Sequence, residues 1–202
     1  MEYVCLDLEG VLVPEIWSEV AKFTGEDKFS LTTRDIKNYS ELMDMRMELV
    51  NSIHLSMKDI SEVIEGMEPL EGAKEFIDWL RDNFQITIVS DSFYQMAWPL
   101  IRKLGTPPII CHHLEIEGDK LKGYKLRQEK NKKRVVQALK ELKYKVFASG
   151  DSYNDIEMLT EADFGVFFKA PKHIRAEYDN IRGVESYSEL KKAFAQASNF
   201  ID

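Results

Sequence analysis

Four short stretches of the chain carry side chains whose types and spacing could do chemistry. In Asp7-Leu8-Glu9-Gly10-Val11, two carboxylates close an apolar run, and Gly10 lets the backbone turn sharply enough to bring both to one place. Gly150-Asp151-Ser152-Tyr153-Asn154-Asp155 supplies two more carboxylates with an amide between them. Carboxylates gathered at one point invite a cation. A hard divalent ion such as Mg²⁺ takes oxygen ligands and leaves positions for phosphate oxygens, and Asp7, Asp151 and Asp155 could together build such a shell. The Ser90 hydroxyl, after the run Ile86-Thr87-Ile88-Val89, suits a phosphate donor. Lys132 or Lys133, opening a helical pattern, could bring the positive charge that a phosphoryl group requires.

All of these groups must be positioned by ordered elements, and the patterning predicts them. Tyr3 to Leu8, Gln85 to Val89 and Lys145 to Ser149 read as buried strands, each stopping at a polar cluster. Between them lie helical patterns. Gly72 to Asn83 puts Ala73, Phe76, Ile77 and Leu80 on one face, Tyr94 to Leu104 forms a second helix, and Lys132 to Leu142 aligns Val135, Val136, Leu139 and Leu142. Strand and helix in alternation predict an α/β fold, a doubly wound, Rossmann-like parallel sheet covered on both faces. Ligands of such sheets bind beyond the carboxyl ends of the strands, where this sequence concentrates its acidic and hydroxyl groups.

One segment breaks the alternation. Residues 15–67 hold no buried-strand pattern and read as a small helical cap inserted after the first strand, leaving 1–14 and 68–202 as the core domain. Ile16, Val20 and Phe23 suit one helix, and Leu42, Met45, Leu49 and Ile53 a second. A third starts at Ser56, with Asp59 three residues on as a capping-box pair. Ile109 to Leu126, with a Gly118-Asp119 turn, predicts a hairpin or a strand with an excursion, and Ser186 should cap a last helix through Phe194.

Composition narrows the setting. With 27 Lys+Arg against 35 Asp+Glu, the net charge of −8 disfavours a nucleic-acid or anionic-membrane partner. No apolar run is long enough for a membrane span, and Asp7 and Glu9 interrupt the apolar start before a signal-peptide core can form, so the chain reads as cytoplasmic. Cys5 and Cys111 lack metal or disulfide spacing and read as small core residues; the four histidines are scattered, apart from His112-His113.

In their order along nearly the whole chain, these motifs resemble the haloacid dehalogenase superfamily of aspartate-nucleophile phosphatases. That pattern is a first-strand Asp-x-Asp-x-Thr/Val, a second-strand Ser/Thr, a Lys at a helix start and Gly-Asp-x-x-x-Asp. Within it the chain is similar to the phosphoserine phosphatase branch: Glu15 to Ala21 resembles its substrate-sensing segment, and Ser90-Asp91-Ser92-Phe93 its Ser-Gly-Gly-Phe turn. The stretches Asp7 to Trp17, Thr32-Thr33-Arg34-Asp35-Ile36 and Gly150 to Asp155 look most like bacterial members that also transfer phosphate from phosphoserine to homoserine.

The resemblance implies a division of roles. Asp7 would be the nucleophile and Glu9 the acid/base. Mg²⁺ would be held by Asp7, the backbone carbonyl of Glu9 and Asp151, with Asp155 supporting them. Ser90, Asp91, Lys132 and Asn154 would hold phosphate; Glu15 would meet the substrate ammonium and Arg46 its carboxylate, Arg34 being a second cationic choice. Glu9 departs from the Asp that most of the superfamily carries there, and the bifunctional members share it. A receiver-type signalling domain, a metal-free dehalogenase and a phosphatase for another small phosphomonoester are the competing readings.

Overall fold

The computed structural model describes every residue except Lys37 and Asp202. Glu2–Leu6 forms β1, whose Val4 and Leu6 enter one apolar cluster and Cys5 another, because alternate side chains of a strand face opposite sides of its sheet. The helices Ile16–Thr24 (α1), Tyr39–Ser52 (α2), Met57–Gly66 (α3) and Ala73–Asn83 (α4) follow. Next come Gln85–Phe93 (β2), Tyr94–Lys103 (α5), Ile109–Glu117 (β3) and Lys120–Lys125 (β4). Asn131–Glu141 (α6), Lys145–Gly150 (β5), Ile156–Glu161 (α7) and Phe164–Phe168 (β6) continue the alternation, and Lys172–Glu177 (α8), Arg182–Val184 (β7) and Tyr187–Ala197 (α9) complete it.

The seven strands are ordered β4-β3-β2-β1-β5-β6-β7, all parallel except β4, which returns antiparallel beside β3. The α/β sheet expected from the sequence is therefore present, and the segment from Ile109 is the hairpin. The chain runs outward from β1 through β2 and β3, then crosses back to β5 on the other flank. That reversal opens a crevice at the carboxyl ends of β1 and β5. The larger apolar cluster joins residues of α1, α3, α4, α5 and α9 on one face, and α6, α7 and α8 cover the other. Among the described residues no helix is long and apolar enough to cross a membrane.

Several boundaries differ from the sequence expectation. β1 stops at Leu6 and β5 reaches Gly150, while β2 continues through Ser90-Asp91-Ser92 to Phe93, with an irregular register against β3 after Val89. Polar residues look like a strand end, yet here they stay in the strand and carry the site. Phe23 and Leu142, expected on buried faces, are exposed at helix ends. The buried stripe of α2 is Leu42, Met43, Arg46 and Val50, not Leu42, Met45, Leu49 and Ile53, because a charged residue occupies the inward face and masks the period. β6, β7 and α8 had no counterpart in the sequence reading; they are short, three to six residues each, and give little periodicity.

Candidate active site

The register of the sheet assembles the site. Leu6 lies opposite both Ile88 and Ser149, so the residues that follow on three strands emerge side by side. The Asp7 N–H donates to the Ser149 carbonyl at 3.0 Å, and the Leu8 N–H donates to Asp7 Oδ1 at 2.8 Å, fixing the carboxylate over the crevice. Two glycines make room. A Cβ on Gly150 would stand 2.2 Å from the Asp155 carboxyl carbon, and Gly10, at φ 76°, has no space for one beside Asp151.

Carboxylate oxygens of Asp7, Asp151 and Asp155 all lie within 4.8 Å of one another, and all three residues are buried. Asp155 is committed inward: its Oδ2 accepts from the backbone N–H groups of Asp151 (2.9 Å) and Ser152 (3.0 Å), and its Oδ1 accepts from Lys132 Nζ at 2.7 Å. Lys132, itself 3% exposed, also meets Asp7 Oδ1 at 2.9 Å. Lys133 instead faces Glu157 at 4.0 Å, away from the cluster.

Burial, followed by the charge of Asp155, pushes the Asp7 carboxyl well above the usual carboxylate range against the pull of Lys132. The same two causes push Asp151 up to about 7, with Arg34 opposing. Burial also raises Glu9 to about 7, assisted by Glu15 and opposed by its bond from the Ile16 N–H and by Arg46. The three crowded carboxylates, with the charge of Asp155 raising the proton affinity of Asp7 and Asp151, form an all-oxygen donor set suited to a hard divalent cation.

A cavity opens above this floor. Its far wall comes from the helical segment: Glu15, Trp17, Arg34, Tyr39 and Arg46 face Glu9, Ser90, Ser92 and Asn154 across it. Arg46 is 6% exposed; its guanidinium lies over the Trp17 ring at 4.9 Å, and its Nη2 donates to the Leu31 carbonyl at 2.6 Å, while Nε has no partner among the described residues. Glu9 Oε2 accepts from the Ile16 N–H at 2.8 Å, so this carboxylate satisfies the start of α1, where Glu15 makes no side-chain cap. Arg34 reaches across to Asp151 Oδ2 at 2.5 Å.

The structure thus brings together Asp7, Glu9, Glu15, Arg46, Ser90, Lys132, Asp151, Asn154 and Asp155. Asp91, expected to hold phosphate, lines the same cavity. Its carboxylate accepts from Asn154 Nδ2 at 2.9 Å and lies 3.8 Å from Lys132 Nζ, and an ionised carboxylate has no proton to offer a phosphate oxygen. Trp17, Tyr39, Ser92 and His112 were missed. Tyr39 donates its hydroxyl to the Asp91 carbonyl, and His112 is buried beside the Asp91 carboxylate. Trp17 and Ser92 lie inside stretches read for other residues, while no motif marks Tyr39 or His112, which only packing brings near.

Comparison with known proteins adds an independent line. The haloacid dehalogenase-like hydrolase family matches residues 13–160, a span that includes Ser90, Lys132 and Asp151 and begins just after Asp7 and Glu9. Phosphoserine phosphatase ThrH of Pseudomonas aeruginosa is 50% identical over 200 residues, covering 98% of either chain. A phosphoserine phosphatase of Pseudomonas syringae pv. tomato is 48% identical over 200 residues, 98% of this chain and 84% of the relative. Among solved structures, a phospho-aspartyl intermediate analogue of phosphoserine phosphatase shares the fold, with a TM-score of 0.80 and 24% identity over 95% of this chain and 97% of the other.

Proposed function

The chain belongs to the haloacid dehalogenase-like hydrolase family, and on that footing we propose that it is a Mg²⁺-dependent phosphoserine phosphatase that works through an aspartyl-phosphate on Asp7 and also transfers the phosphoryl group to homoserine. The observation that carries the reading is Asp7 itself: a buried carboxylate at the cavity floor, 2.9 Å from Lys132 Nζ and grouped with Asp151 and Asp155. The two relatives named as phosphoserine phosphatases support the substrate.

In this reading residues 1–14 and 68–202 form the core and 15–67 the cap. Asp7, the Glu9 carbonyl and Asp151 would hold Mg²⁺, with Asp155 fixing Asp151 through its N–H. Bound there, the ion offsets the repulsion between the Asp7 carboxylate and the phosphate dianion. Asp7 forms the new O–P bond as the bond from phosphorus to the serine oxygen breaks, and Glu9 delivers the proton that the departing oxygen needs. Glu9, now ionised, then takes a proton from water or from the homoserine hydroxyl as that oxygen attacks phosphorus, and Asp7 is released. Ser90, Lys132 and the second N–H of Asn154 hold the phosphate oxygens.

The amino-acid head falls to Glu15 and Arg46. The unpartnered Nε of buried Arg46 suits a substrate carboxylate, and Arg is the better clamp because its planar fork binds in two places. Homoserine has the same head, so one pocket serves both. Two thiols without a bridge, Cys5 and Cys111, suit a reducing cytoplasmic setting.

The test is rapid quench of a phosphoserine reaction followed by mass spectrometry. An adduct on Asp7, lost along with turnover in Asp7→Asn, is the expected result; an adduct elsewhere, or turnover surviving the substitution, ends the reading. Adding homoserine should yield O-phosphohomoserine, and its absence removes the transferase half alone.

A further inference from the structure

His112 is buried and Asp91 half-buried; both are polar, and neither side chain is used by the chemistry above. Asp91 Oδ1 lies 3.5 Å from His112 Nε2, and Asp91 Oδ2 accepts from Asn154 Nδ2 at 2.9 Å and faces Lys132 Nζ at 3.8 Å. The other ring nitrogen of His112, Nδ1, accepts from the Arg127 N–H at 3.0 Å, so the neutral ring carries its proton on Nε2, directed at Asp91. His112 is 4% exposed and is packed between the rings of Tyr39 and Phe93.

We propose that His112 and Asp91 are a positioning pair: His112 on β3 fixes one oxygen of Asp91, and the other oxygen of Asp91 aims the Asn154 amide and the Lys132 ammonium at the phosphate. This rests on the reading of Lys132 and Asn154 as phosphate ligands. The arrangement answers a physical need. An unanchored Asn amide can rotate, and its aim is set here from both ends, since Ser152 Oγ donates to Asn154 Oδ1 at 2.5 Å. Asp91, 3.8 Å away, also sets a third carboxylate beside the buried Lys132 ammonium, which meets Asp155 at 2.7 Å and Asp7 at 2.9 Å. Burial works against the charge on Asp91, but Lys132, His112 and Asn154 outweigh it and hold its carboxyl below the ordinary value. The Tyr39 hydroxyl, from α2, donates to the Asp91 carbonyl, so the helical segment touches the same residue that aims the phosphate ligands.

The test uses the full chain with Mg²⁺ and phosphoserine. His112→Phe keeps the buried volume and removes the donor. It should lower kcat about 10- to 100-fold, as loss of a supporting hydrogen-bond partner does at comparable sites, while KM stays near wild type because Glu15 and Arg46 stand on the other wall. His112→Gln, whose amide can again donate to Asp91, should recover most of kcat. Unchanged kcat in His112→Phe, or equal losses in both variants, overturns the proposal. A nitrogen NMR spectrum of the wild-type histidine side chains judges the pair without turnover: a proton on His112 Nε2, shifted by Asp91→Asn, supports it, and a proton on Nδ1 overturns it. Wild-type protein that leaves phosphoserine intact would instead defeat the functional reading, and the spectrum would still decide the pair.

Discussion

Arg46 illustrates how a single residue can be costly to the fold and useful to the site. Burying a guanidinium is unfavourable, and burial lowers its proton affinity against the pull of Glu9, Tyr39 and Glu15. The Trp17 ring and the Leu31 carbonyl compensate in part, leaving Nε for a ligand. Arg46→Ala should therefore raise KM for phosphoserine by about 10- to 100-fold, the worth of a charged hydrogen bond. Turnover of p-nitrophenyl phosphate, which has no amino-acid head, should change far less. Equal losses on both substrates would remove Arg46 from substrate recognition. Arg46→Lys should not restore binding, since an ammonium neither forks nor stacks as a guanidinium does.

Among the elements, α3 shows local sequence deciding local structure. Ser56 Oγ accepts from the Asp59 N–H at 3.1 Å, and Asp59 Oδ2 accepts from the Ser56 N–H at 3.0 Å and from its hydroxyl at 2.6 Å. Those bonds hold the Asp59 carboxyl below its ordinary value. A carboxyl depressed in the folded state stabilises it fully above the unfolded value, and that contribution is lost as pH falls through the folded one. Asp59→Asn should thus lower the melting temperature at pH 7, and the gap from wild type should close as the pH drops below about 4. A gap that stays constant with pH would show that the charge of Asp59 contributes nothing.

At the scale of the whole molecule, the hairpin of β3 and β4 joins the helical segment to the sheet. The Asp119 carbonyl accepts from the Met57 N–H at 2.9 Å and its Oδ1 from the Lys58 N–H at 2.7 Å, capping α3 from far along the chain. Tyr124 donates to Asp44 Oδ1 at 2.9 Å, tying β4 to α2. The same hairpin delivers His112. Asp119→Ala should speed amide exchange at the start of α3 by roughly five- to tenfold, the worth of a helix cap, with the central strands unaffected. Unaltered exchange there would mean that the hairpin does not anchor the helical segment.

What the sequence by itself determined was whatever depends on neighbours along the chain. The strand-helix alternation, the Ser56 and Ser186 caps and the Gly118-Asp119 turn all follow from local patterning. Asp7, Ser90 and Asp151 were legible because each follows an apolar run, where an acid or hydroxyl is conspicuous, and Lys132 because it opens a helical pattern. The phase of α2 was misread because Arg46 occupies a buried position that periodicity reserves for apolar residues. Tertiary structure alone decided which of Lys132 and Lys133 faces Asp7, that Asp91 points at Asn154, and that Tyr39 and His112 converge on it. The physical reason is register: pairing β1 with both β2 and β5 brings residues more than eighty positions apart within hydrogen-bonding distance, and no spacing along the chain encodes that proximity.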